Sequence, residues 1–159
     1  MSTGVYCISP DEHRANAIVT GLRGAGFNSE ISVIIGEGAE SRDMSEREDA
    51  VRGAKLGSIA GAVIALTLPG IGEVLVLGPL LAALAGAAAG GAVGGLAGGS
   101  GALGRLGLPH DIAERFNHGL SKGEILIAVH TDDPAKRHRA LSIFRAEGGD
   151  YIYEEPYAA

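Results

Sequence analysis

The sequence predicts an α+β protein, a ferredoxin-like split sandwich interrupted by a Gly/Ala-rich hydrophobic helical hairpin. Three observations support this prediction. Residues 1–36 and 105–159 each alternate strand-like and helix-like hydrophobic patterns and together supply four strands. Residues 53–104 between them contain only two charged side chains, Lys55 and Glu73. The chain has 26 glycines in 159 residues, roughly twice the usual share, and most of them lie in this central zone.

Residues 1–36 are predicted to be the first half of the sandwich, with the order strand, helix, strand. Val5 to Ile8 predicts the first strand. Ser9 followed by proline and, three positions after the serine, glutamate is typical of a capping box, so a helix is expected to begin there. Gly24 and Gly26 are expected to end it, and Ile31 to Ile35 predicts the second strand. The apolar residues at helical spacing are Ala15, Ile18, Val19 and Leu22.

The central part of the chain is expected to leave this domain. Residues 37–52 are polar and charged and are predicted to be a connector. Residues 53–104 are predicted to form the helical hairpin, and the turn residues Pro69 to Gly72 divide it into two arms, 54–68 and 74–103.

The glycines of the hairpin are regularly spaced. Residues four apart stack on one face of a helix, and a row of glycines lets a second helix approach closely. Each glycine costs a helix roughly 1 kcal/mol relative to alanine, so we expect tight packing to compensate. The sequence therefore predicts a homo-oligomer held together by these helices. The predicted helix-packing residues are Gly53, Gly57, Gly61, Gly86, Gly90, Gly94 and Gly98.

Residues 105–159 are predicted to be the second half of the sandwich. A helix is expected from His110 to Leu120, and a strand from Glu124 to His130. Asp133 followed by proline is expected to cap a second helix that stops at two glycines. A last strand is expected from Tyr151 to Tyr153.

The predicted strand from Glu124 to His130 is apolar on both of its faces. Helices can cover one face of such a sheet, and something else must cover the other. Two coverings are open at this point: a second copy of the chain, or the hydrophobic insertion itself.

Several segments together resemble a bacterial family of general stress proteins of the heat- or low-temperature-induced type, which carry a glycine-zipper insertion. The matching segments are Ala25-Gly26-Phe27, Ile31-Ser32-Val33, Pro69-Gly70-Ile71-Gly72, Leu77-Gly78-Pro79, Gly107-Leu108-Pro109, Ala113-Glu114-Arg115-Phe116, Gly119, and Ile125 to His130. The resemblance covers nearly the whole chain. It implies a stress-associated protein that is membrane-linked or self-associating, and it implies no catalytic residue.

Composition and motifs favour a protein without catalytic chemistry. The net charge of −6 argues against a nucleic-acid partner. No Gly-Lys-Ser/Thr follows the glycine runs, so no phosphate-binding loop is predicted. The histidines lack the spacing of a metal-ligand set, and Cys7 is expected to be a buried apolar residue. We therefore expect no enzymatic activity, no cofactor and no metal.

A single cysteine and an N-terminus unlike a signal peptide indicate the cytoplasm or the cytoplasmic face of a membrane.

Two functions of different class remain open, with a third behind them. In the first, the hairpin inserts into or lies against a lipid membrane. A span needs about 20 apolar residues, and the arm 54–68 reaches that length only if Arg52 and Lys55 extend to the interface. In the second, the protein is a soluble ring, shell or filament subunit with the hairpins buried in the assembly. A sensor that binds a small ligand on the open sheet face is the third.

Overall fold

The computed structural model of the chain describes residues 3–36, 64–68, 72–80, 84, 101–104, 106 and 108–156. The predicted connector at 37–52 lies outside them.

Six strands and three helices of twelve or thirteen residues make up this part of the chain. A short helical segment, Gly101–Gly104, lies before the second of these helices. The strands are β1 (Gly4–Ser9), β2 (Ile31–Gly36), β3 (Ile64–Leu68), β4 (Gly72–Leu77), β5 (Ile125–His130) and β6 (Asp150–Glu154). The helices are α1 (Glu12–Gly24), α2 (His110–Ser121) and α3 (Pro134–Ala146).

The strands form one antiparallel sheet in the order β3-β4-β2-β5-β1-β6. Helices α1 and α3 pack on one face of this sheet, which we call the first face, through an apolar cluster that includes Ile18, Phe144 and Ile127. Helix α2 packs on the opposite, second face through Phe116 and Leu120. The protein is therefore of the α+β class, as predicted, with a helical layer on each side of the sheet.

The helices and strands predicted in the two halves of the chain are confirmed with small shifts at their ends. The side chain of Asp133 caps α3 by accepting hydrogen bonds from the next turn, as expected. At α1 the predicted cap is wrong by two positions. Asp11, not Ser9, accepts the hydrogen bond from the amide of Arg14 at 2.8 Å, because Ser9 is still the last residue of β1 and pairs with Ile125.

The helical structure predicted for the two arms is wrong at 64–68 and 74–77, where the chain forms β3 and β4. The two strands pair antiparallel, from Ile64 opposite Val76 to Leu68 opposite Gly72. A short uninterrupted apolar run has no period that separates a buried strand from a buried helix. Here the β-branched residues and the partner edge offered by β2 favour the strand.

The chain itself covers much of the second face of the sheet. Beside α2, the buried cluster on this face contains residues from both ends of the predicted second arm. They are Leu80, Leu84 and Leu103, with Leu108 just after them. Of the two coverings left open by the sequence, the hydrophobic insertion is thus the one the structure shows at these positions.

Candidate functional site

The seven glycines predicted to form the helix-packing interface lie outside the described residues. The structure does describe where the surrounding segment leaves the sheet and where it returns. Leu80 and Leu84 are buried on the second face before the glycine-rich residues 85–100, and Leu103 is buried on the same face after them. We call these three leucines the anchor residues. They fix both ends of the segment to the same apolar layer.

A buried serine joins the start of this segment to the sheet. The hydroxyl oxygen Oγ of Ser32 accepts a hydrogen bond of 3.0 Å from the amide of Leu80. The same oxygen lies 3.0 Å from Nε2 of His130 on the neighbouring strand. Ser32 has no exposed surface, so a polar group buried in an apolar sheet is satisfied by these two partners.

The protonation of His130 follows from its surroundings. Burial lowers the pKa of the His130 imidazole below its ordinary value, because the charged form loses hydration. The ring of Tyr6 meets it edge to face, with centroids 6.2 Å apart. In the neutral tautomer whose Nε2 carries no proton, the Ser32 hydroxyl can donate a hydrogen bond to Nε2 while its oxygen accepts from the amide of Leu80. Ser32 thus links Leu80 to His130.

This serine–histidine pair is not arranged for catalysis. A nucleophilic serine must be reached by its substrate, and Ser32 is fully buried beneath the side chains of the second face. Its hydroxyl also accepts a main-chain hydrogen bond, which ties the oxygen down. The pair positions the backbone of Leu80.

The turn that leads into the segment depends on glycine. Gly78 has a φ of +85°, a conformation that residues with a side chain rarely adopt. A Cβ atom at this position would also overlap the carbonyl oxygen of Ile31. Gly78 therefore lets the chain pass close to β2 and brings Leu80 to the hydroxyl of Ser32.

An open groove of about 380 Å³ lies between α2 and the start of β6. The guanidinium carbon of Arg115 lies 4.4 Å from the ring centroid of Tyr151, a cation–π arrangement. Tyr151 is 56% exposed and has a φ of +49°. Acidic and basic side chains both line the groove. The lining residues are Asp111, Glu114, Arg115, His118, Gly119, Lys122, Glu124 and Tyr151.

Arg137 is a buried charge that the sequence analysis missed. It is 1% exposed and donates to the carboxylate of Glu154 at 3.2 and 3.0 Å, and also to Thr3 and to the carbonyl of Glu155. These bonds tie α3 to the last strand. A pattern could have revealed it, because Arg137 precedes the buried Ala140, Leu141 and Phe144 by three, four and seven positions.

Two further residues considered from the sequence, Cys7 and His110, make contacts within the fold. Cys7 lies in the apolar cluster under α1 and α3, where burial raises the pKa of its thiol and makes it unreactive. His110 lies 3.2 Å from Glu114 on the exposed side of α2.

Among the described residues, no three His, Cys, Asp or Glu side chains are grouped as metal ligands would be. None of the helices described here combines the length and apolar character needed to cross a bilayer.

Comparison with known proteins gives no match, whether to a protein family, to a curated protein or to a solved structure.

Because the imidazole of His130 is largely buried, we expect the stability of the fold to depend on pH. Because the pKa of His130 is lower in the folded protein than in the unfolded chain, the unfolded chain binds more protons at acidic pH. The free energy of unfolding is expected to fall as the pH drops from about 6.5 through the folded-state pKa. Urea denaturation followed by circular dichroism between pH 8 and pH 5 measures this fall.

His130→Asn is expected to weaken that dependence, since asparagine can still accept from Ser32 but does not titrate. His138→Asn, at an exposed position on α3, is the matched control and should retain the wild-type slope. An unchanged slope in His130→Asn would contradict the assignment.

Proposed function

We propose that this protein is a non-enzymatic, self-associating protein whose α+β domain presents the glycine-rich segment 85–100 for packing against further copies. The burial of Leu80, Leu84 and Leu103 on the second face of the sheet is the observation that carries the proposal. Through these three leucines, both ends of the segment are held in the apolar cluster of the second face. The four-residue spacing of glycines such as Gly90 and Gly94 supplies a surface suited to close helix contact.

The same observation favours packing against protein over a bilayer span. Between Leu84 and Gly101 the sequence has 16 residues, 85–100, whereas a span needs about 20. The first predicted arm, 54–68, also becomes too short for a span, because its residues 64–68 are a strand of the sheet. We therefore place the soluble assembly ahead of membrane insertion, which remains the second candidate because the segment is apolar and nearly uncharged.

We further propose that β1, β2, β5 and β6 with α1 and α3 form a ferredoxin-like unit. Its support is the strand order β6-β1-β5-β2, with antiparallel neighbours and both helices on the first face. Strands β3 and β4 extend this sheet beside β2. A role in stress stays a prediction from the resemblance described above.

Fractionation of expressing cells tests the choice between assembly and membrane. The protein is expected in the fraction obtained without detergent, as one species larger than the monomer on size exclusion with light scattering. Retention in membranes after an alkaline carbonate wash, with release by detergent, would overturn this proposal in favour of the membrane-inserted form. A monomer at all concentrations would contradict both forms of self-association.

The double variant Gly90→Leu, Gly94→Leu is expected to reduce the assembly size, because leucine fills the groove that a second helix would enter. Ala88→Leu with Ala92→Leu is the matched control. It adds the same two side chains at the same spacing, but about half a turn away on a helix. Light scattering of both variants at equal concentration makes the comparison. Equal loss of assembly in the two would show that the glycine row has no special role.

A further inference from the structure

The sheet has two outer strands, β3 at one end and β6 at the other. Within the described part of the chain, each of them pairs with a neighbour on one side only. An unpaired strand edge presents amide and carbonyl groups that can pair with another chain. Proteins usually protect such edges with charged residues, proline or bulges.

The two edges differ in this protection. Strand β6 begins with Asp150 and ends with Glu154. If two copies of β6 paired antiparallel about Ile152, each Asp150 would face a Glu154 of the other copy. Like charges directly opposite one another destabilise strand pairing. There is also an irregularity in the pairing of β6 with β1, between Tyr6 and Ile8. The β6 edge is thus unsuited to pairing with itself.

Strand β3 has none of these protections. Its sequence, Ile-Ala-Leu-Thr-Leu, has no charge, no proline and no glycine. Antiparallel pairing of two copies about Leu66 would place Ile64 opposite Leu68, and Ala65 opposite Thr67. Every position then meets an uncharged residue of similar character, and such pairs favour a ladder.

Apolar clusters cover both faces of the sheet next to β3. Ile64 and Leu66 pair with Val76 and Val74 of β4. Val74 and Val76 belong to the buried cluster of the second face, and Leu75 to that of the first. The sheet is thus covered on both sides as far as β4, next to the β3 edge.

We propose that a second copy of the chain pairs with β3, antiparallel about Leu66, so that two sheets join into one twelve-stranded sheet. This contact goes beyond the packing of residues 85–100, since it uses a different segment and only the backbone and sequence of β3. A five-residue ladder is a small contact. The pairing is therefore expected to be weak and dependent on concentration.

Amide hydrogen exchange of the wild-type chain tests the pairing without any substitution. Peptides covering 64–68 are expected to exchange several-fold more slowly when the protein concentration is raised from low to high micromolar. Peptides covering 150–154 are expected to exchange at the same rate at both concentrations, because the β6 edge is not involved. Equal exchange of 64–68 at both concentrations would overturn the proposal.

Charge reversal across the junction provides a second test. The variant Ala65→Lys, Thr67→Lys places lysines of the two copies opposite one another and should remain unpaired. The variant Ala65→Glu, Thr67→Glu should behave likewise, and an equal mixture of the two should regain pairing. Sedimentation velocity of each variant and of the mixture measures this, with folding checked by circular dichroism. A mixture no more associated than its components would overturn the proposal. If either variant fails to fold, the amide hydrogen exchange of residues 64–68 in the wild-type chain decides instead.

The glycine-row variant separates this contact from the proposed function. If Gly90→Leu, Gly94→Leu reduces assembly while slow exchange of 64–68 at high concentration persists, both contacts exist independently. If the lysine variant keeps the full wild-type assembly and Gly90→Leu, Gly94→Leu loses it, the β3 contact is refuted and the proposed function stands.

Discussion

Replacing Gly36 with alanine is expected to destabilise the fold by about 3 kcal/mol, at the upper end of what overpacking usually costs. Gly36 is the last residue of β2, and its amide donates to the carbonyl of Glu124 at 3.1 Å. A Cβ atom there would overlap the carbonyl oxygen of Leu120 in the last turn of α2. The obstacle is backbone and cannot rotate away, so strand and helix must move apart. Urea denaturation followed by circular dichroism measures the loss.

Gly24→Ala is the matched control for this experiment. Gly24 ends α1, and a Cβ atom at that position would meet nothing within 4 Å. Alanine favours the helix over glycine, so the stability is expected to be unchanged or slightly higher. A loss for Gly36→Ala no larger than that of the control would mean that α2 does not approach β2 as closely as described.

Arg137→Ala is the second substitution with a large expected effect, a loss of about 3 kcal/mol of folding stability. The guanidinium group is 1% exposed and its hydrogen bonds join α3 to Glu154 and to the carbonyl of Glu155. Alanine removes these bonds and leaves the space of the side chain unfilled. We also expect the substitution to accelerate amide exchange in β6 more than in β5, because the lost bonds go to Thr3, Glu154 and Glu155, and none of these residues lies in β5. Denaturation and hydrogen exchange measure the two effects.

The neighbouring residue provides the control for Arg137. Lys136 forms an ion pair with Glu30 at 2.8 Å, on the surface of the protein. Exposed ion pairs contribute little to stability, so Lys136→Ala should leave the denaturation midpoint close to that of the wild type. Arg137→Met, which keeps the apolar stem, is expected to fall between the two. Equal effects of the alanine variants would contradict the assignment of Arg137 as a buried structural charge.

Elements with local sequence patterns could be predicted from the sequence. Helix α3 begins at Pro134, just after Asp133, whose side chain caps it, and it ends shortly before Gly148, which has a φ of +81°. Both features depend on residues next to one another in the chain. Local capping and turn chemistry are therefore sufficient to predict them.

Strands β3 and β4 could not be predicted in this way, because the evidence for them lies far along the chain. Ile35 of β2 pairs with Leu75, and nothing in the apolar run itself specifies that partner. The glycine rows further along suggested a helix, and the prediction extended that helix into residues that the sheet requires as strands. Tertiary pairing here prevails over a local pattern.

The candidate site shows the same limit. Ser32 and His130 are 98 positions apart, and the pairing of β2 with β5 brings them together. A serine within an otherwise apolar strand was a visible anomaly, but its partner depends on strand register. The third class of function, a sensor that binds a ligand on an open sheet face, stays a prediction; α2 and the anchor residues lie on the second face of the sheet.

The burial of Leu84 and Leu103 in one layer has a consequence for how such a chain can vary. Leu84 and Leu103 are held in the same apolar layer, so both ends of the intervening stretch are fixed by the domain. The entropic cost of closing a loop grows slowly with its length, by about 0.6 kcal/mol for each doubling. We therefore expect the sheet to tolerate a change in the number of residues between these two leucines.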